Sequence, residues 1–160
     1  MRRGPEEMDA LIRVADDGVL GRGRTEDFPM VAAQALARGV DLPALRELAG
    51  LGRDDVRDAA DLFERAMTEL GHPLREGDAI RWARIREAAT SLLEKRTAPP
   101  NAAGEIAELL RTLDDPDGRT EDFAWHLHVL SVIWEDHPAD RPDTVATIKS
   151  TVSEIIGYRR

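Results

Sequence analysis

The chain has 160 residues, with 22 basic and 31 acidic side chains, a net charge of −9 and no cysteine. With 42 % hydrophobic and 33 % charged residues it belongs with globular chains rather than disordered ones, at the size of one ordinary domain. Disulfides, thiolate metal sites and cysteine nucleophiles are excluded, and a negative field opposes phosphate backbones, so nucleic acid is not an expected partner.

Met1-Arg2-Arg3-Gly4-Pro5-Glu6-Glu7 starts basic, but no apolar stretch follows, so no secretory leader is expected. No run approaches the roughly 20 apolar residues needed to span a bilayer. We therefore expect a cytoplasmic chain that does not enter the membrane. Only Lys95 and Lys149 are lysines, and the excess of arginine reads as the coding bias of a GC-rich genome.

Apolar spacing and terminal signals predict eight helices in order. The first runs from about Glu6 to Ala15, behind Pro5. The second starts at Thr25, with two acids in its first turn, and stops at Gly39. A short third spans Asp41 to Gly50, with Pro43 near its start. The fourth covers Asp54 to Leu70 and stops at Gly71. The fifth covers Asp78 to Lys95. Thr97-Ala98-Pro99-Pro100-Asn101 then breaks the chain. The sixth covers Ala102 to Leu113, and Asp114-Asp115-Pro116-Asp117-Gly118 forms a turn. The seventh runs from Thr120 to Glu135 and the eighth from Asp143 to Ile156. No segment alternates with period two, so no sheet is expected. The predicted fold is all-α: a single domain, residues 1–160, in a multi-helix bundle or array. Its structural halves, 1–96 and 102–160, would be joined by the proline-rich stretch.

Gly23-Arg24-Thr25-Glu26-Asp27-Phe28 recurs as Gly118-Arg119-Thr120-Glu121-Asp122-Phe123, and Asp41, Pro43, Ala44 and Arg46 recur in register as Asp136, Pro138, Ala139 and Arg141. Convergent helix starts explain Thr-Glu-Asp, because threonine caps and acids face the positive helix end. They do not explain the arginine, the phenylalanine or the later matches. Residues 23–46 and 118–141 therefore read either as a duplicated helix-turn-helix unit or as coincidence.

The seventh helix is nearly apolar all round. Phe123, Leu127, Leu130 and Trp134 share one stripe, widened by Trp125 and Val132, while Ala124, His128, Ser131 and Glu135 form a narrow polar remainder. His126 falls in the apolar arc with Asp122 one turn before it. That pair is either a general base oriented by a carboxylate or, as the sequence favours, a satisfied core histidine. Asp122, Trp125 and His126 are the candidate residues of a pocket.

Glu69 and His72 have the Glu-x-x-His spacing of di-iron bundles, but Gly71 and Pro73 put His72 past the helix end and there is no second copy. His128, Glu135 and His137 match no zinc pattern. No metal or other cofactor is expected, and no residue is placed in a catalytic motif. Gly21-Arg22-Gly23 lacks the strand and lysine of a phosphate loop. A DNA-reading helix pair over Leu45 to Phe63 would present Asp54, Asp55, Asp58 and Asp61 to phosphates, which argues against it. Trp82, beside Arg81, Arg84 and Arg86, reads as a core residue.

The acids Asp54, Asp55, Asp58 and Asp61, with Glu135 and Asp136, are solvated faces taken singly; taken together they could form one acidic surface for a basic protein partner. The segment Leu42-Pro43-Ala44-Leu45-Arg46-Glu47-Leu48-Ala49-Gly50-Leu51 and the Asp-rich helix after it, to Leu70-Gly71, resemble uncharacterised all-helical proteins of high-GC Gram-positive bacteria. Trp134-Glu135-Asp136-His137-Pro138 is similar to a stretch in some of them. The resemblance covers under half of the chain and implies no activity for any residue. Three functions fit these features: an acidic interaction protein such as an immunity protein that neutralises a toxin domain, a regulatory or scaffold module, and a small-ligand binder or enzyme around Asp122 and His126.

Overall fold

The computed structural model describes residues 5–158. Among them are eight α-helices, two single 3-10 turns and no strand. The chain divides between Gly77 and Asp78 into two compact units. The division does not fall at the proline-rich stretch, which lies wholly inside the second unit.

The first unit contains α1 (Pro5–Val19), a 3-10 turn (Thr25–Asp27), α2 (Phe28–Ala37), α3 (Pro43–Ala49) and α4 (Val56–Glu69). α2 and α3 carry proline in their first turn, where the missing N–H costs nothing. α2 and α4 end on glycines with φ of 91° at Gly39 and 85° at Gly71. That conformation turns the Val40 N–H back to the Ala35 carbonyl at 3.0 Å and the His72 N–H back to the Met67 carbonyl at 2.9 Å. The core gathers Leu11, Ala32, Val40, Leu45, Leu48, Phe63 and Met67. Phe28 stacks on Phe63 with ring centroids 4.3 Å apart. Glu69 Oε2 accepts the Ala44 N–H at 3.2 Å, so the end of α4 caps the start of α3.

The second unit contains α5 (Gly77–Leu93) from its second residue on, α6 (Pro99–Arg111), α7 (Arg119–Asp136), a 3-10 turn (Pro138–Asp140) and α8 (Arg141–Tyr158). Its core combines Trp82, Ile85, Leu92, Ile106, Leu110, Leu127, Ile148 and Ile155 with Ala102, Ala103, Ala107 and Ala124. α6 packs on α7, and these alanines keep the interface thin.

Several boundaries differ by two to four residues from those read in the sequence, and two of the shifts have a clear cause. α1 continues past Ala15 to Val19, because Asp16 turns inward to an ion pair instead of ending the helix. α6 begins at Pro99 rather than Ala102, because Pro99 and Pro100 occupy its first two positions and fit there.

The repeated hexapeptide does not produce a repeated backbone. Thr25–Asp27 forms a 3-10 turn before α2, whereas Arg119 onward is α-helical throughout. Downstream, Arg46 pairs with Asp41 ahead of α3, while Arg141 instead reaches back to the Trp134 carbonyl. What the copies share is the phenylalanine: Phe28 belongs to the core of its unit and Phe123 packs against the core of its own.

α5 closes in the same way as α2 and α4, with the Arg96 N–H on the Ser91 carbonyl at 2.8 Å, but the residue in the left-handed conformation is Lys95, at φ 58°. A β-carbon there costs energy that glycine avoids. Lys95→Gly is expected to stabilise the protein by about 0.5–1 kcal/mol in urea unfolding; an unchanged or lower midpoint would contradict the strain.

Candidate functional site

α7 is anchored at both ends, which fixes the face it offers to solvent. At its start, Gly118 takes a left-handed φ of 73° and turns the chain. Asp115 Oδ2 accepts the Thr120 N–H at 2.7 Å and its Oδ1 accepts the Asp117 N–H at 3.2 Å. These bonds favour the ionised carboxylate, the Thr120 bond most, and hold Asp115 below its ordinary pKa of 3.8. A depressed carboxylate stabilises the fold above its unfolded pKa and loses that contribution as pH falls through the lower folded value. The wild-type urea midpoint should therefore drop more between pH 5 and roughly pH 3 than that of Asp115→Asn, whose side chain carries no charge to titrate. Equal losses would remove Asp115 from the acid sensitivity.

At the other end, Arg141 Nε donates to the Trp134 carbonyl at 3.0 Å, and its guanidinium lies 4.1 Å from the Trp134 ring centroid. A cation at a helix C-terminus is favoured by the dipole, and the ring adds a cation–π contact.

Between these anchors, Thr120, Ala124, Leu127 and Leu130 face inward. The Ser131 hydroxyl bonds the Leu127 carbonyl at 3.0 Å and reaches the Pro100 carbonyl at 3.4 Å. Ala124 and Ser131 thus point toward the protein, not away from it. The helix is turned relative to the stripe read in the sequence, since the alanine-lined α6 takes its small-residue side.

That rotation decides the fate of the candidate residues. His126 is exposed, so it is not a core histidine. Asp122 is also exposed, and among the described residues no hydrogen bond or ion pair joins the two side chains. Trp125 is 64 % exposed, with His128 tilted against it at 6.0 Å between centroids. Val132, two turns on, is 44 % exposed, and Val129 between them is half-buried. The outer face of α7 is therefore an apolar stripe, Trp125–Val129–Val132, at i, i+4, i+7 spacing. Glu121, Asp122, Glu135 and Asp136 are exposed at its ends. α7 has no lysine, and its one arginine, Arg119, lies against Phe123 and Tyr158 at 5.8 and 4.8 Å.

Asp54, Asp55, Asp58 and Asp61 belong to the first unit and are exposed. Arg53 precedes them and Arg57 interrupts them in sequence, and a polar cleft beside Asp54 is lined by Arg24 and Arg53 as well as Glu26 and Asp27. Mixed charge makes this region a weaker field than α7. Glu135 and Asp136 are exposed and belong to the second unit, so the six acids are divided between the two units. Glu121, Val129 and Val132 complete the α7 face and are not among the site residues that the sequence singles out. The spacing of seven between Trp125 and Val132 carries the signal, but on an all-round apolar helix it cannot say which side meets water. Among the described residues no three His, Asp or Glu side chains are grouped to hold a metal ion, and no helix is long and apolar enough to cross a membrane. No protein-family model matches the chain, and no match to it was found among curated proteins or among solved structures.

Proposed function

We propose that this chain is an acidic, cytoplasmic interaction protein whose partner presents a basic surface, acting in the manner of an immunity protein that neutralises a toxin domain by covering it. The observation that supports this is Trp125, 64 % exposed on a helix that carries exposed carboxylates at both ends of its outer face. An exposed tryptophan in an apolar stripe gains from being covered, and tryptophan is among the residues that dominate binding energy at interfaces. The carboxylates favour a cationic partner and speed its approach. They also disfavour self-pairing of this face, since two copies would oppose like charges. The alternative of acid–base chemistry at Asp122 and His126 has less support, because the two are exposed and not bonded to each other.

The test is to purify the tagged protein from its host in low salt, identify a stoichiometric partner, and measure its affinity for variants. Trp125→Ala should weaken binding by at least about tenfold while leaving the melting temperature unchanged. Glu121→Gln with Asp122→Asn should mainly slow association and flatten its salt dependence. A partner that binds Trp125→Ala as tightly as wild type, or whose contact surface is acidic, would sink the proposal.

A further inference from the structure

The turn between α5 and α6 opens on a cleft of about 320 Å³ in the second unit. Lys95, Arg96 and Lys149 line it, beside Thr97 and an apolar wall of Leu92, Pro99 and Val145. Lys95 and Lys149 are the only lysines of a chain with net charge −9, and they come from different parts of the second unit, one after α5 and one on α8. Neither ammonium group has a hydrogen-bond or ion-pair partner among the described residues. Arg96 gives its Nε to Glu94 at 2.7 Å. Lys95 stands at φ 58°, and the other described residues with positive φ are all glycine. Strain kept at one residue is a reason to look for what its side chain does.

We propose that this cleft binds a small phosphate monoester with an apolar body. Such a group carries about −1.5 to −2 charges near neutral pH. Ammonium groups suit it as compact point donors, and a threonine hydroxyl supplies a further bond. Leu92, Pro99 and Val145 give the ester substituent a surface that sheds water on contact. The size lies at the small end of ligand clefts, which span roughly 300–1,000 Å³. This site is separate from the outer face of α7, so either proposal can fail alone.

The full chain is titrated with phenyl phosphate in low salt by calorimetry, with inorganic phosphate and phenol as comparators. One saturable site is expected, tighter for phenyl phosphate than for either comparator. Lys149→Gln should weaken it by about tenfold. Lys95→Gly should weaken it similarly while raising the urea midpoint, a combination that loss of folding cannot imitate. Trp125→Ala should bind phenyl phosphate like wild type. Absence of saturation in the wild type, or wild-type affinity in both lysine variants, would overturn the proposal.

Discussion

Phe63→Ala should lower the unfolding free energy of the protein by about 3–5 kcal/mol, the largest loss expected for any single truncation in the first unit. Phe63 is 2 % exposed on α4 and its ring stacks on Phe28 of α2 at 4.3 Å, tilted by 22°. Removing the ring loses its burial and the aromatic pair, and leaves a hole in the core that Phe63 shares with Leu45, Leu48 and Met67. The hole closes poorly because its walls come from three helices held by other bonds, including the Glu69 carboxylate on the start of α3. Phe63→Leu keeps part of the volume and should cost less than half as much, on the order of 1–1.5 kcal/mol. Urea unfolding followed by circular dichroism reads both. A loss under about 1.5 kcal/mol for alanine would mean that α2 and α4 do not pack through this pair.

The helices were legible in the sequence because each carries its own start and stop. Prolines and acids at the first turns, glycines after the last, and apolar steps of three and four specify local structure without reference to any partner. What each helix packs against was not legible. Nothing around Gly77 marks a division more strongly than the Pro-Pro pair at 99–100, yet that pair begins a helix within the second unit. α7 shows the same limit at the scale of one element. Its apolar residues surround it, so periodicity leaves its rotation open, and the small side chains Ala102, Ala103 and Ala107 of α6 set it by accepting Ala124. That choice exposes Trp125 and His126 together. A charge count likewise treats Lys95 and Lys149 as two cations among 22, and only tertiary structure puts both in one cleft.

Asp16 and Arg75 carry the second large effect, and their unequal burial makes it directional. Asp16, near the end of α1, keeps 11 % of its side chain exposed; Arg75, on the segment between α4 and α5, keeps 42 % and donates to Asp16 Oδ2 at 2.6 Å. Arg75→Met removes the partner and leaves a carboxylate that water reaches poorly, so it should destabilise the protein by about 2–3 kcal/mol, below the roughly 3–5 of a fully buried pair because Arg75 is partly solvated. Asp16→Asn leaves a guanidinium that can turn to water, and should cost only about 1 kcal/mol. The double variant Asp16→Leu with Arg75→Met buries no unpaired charge against Ile12, Met67 and Leu74, and should recover most of the loss of Arg75→Met. The order arginine variant, then asparagine variant, then double variant, from least to most stable, tests the argument in one set of urea curves. If Asp16→Asn were as damaging as Arg75→Met, the pair would be acting as a hydrogen bond that holds the segment in place, and the poor hydration of Asp16 would not be what makes the pair matter.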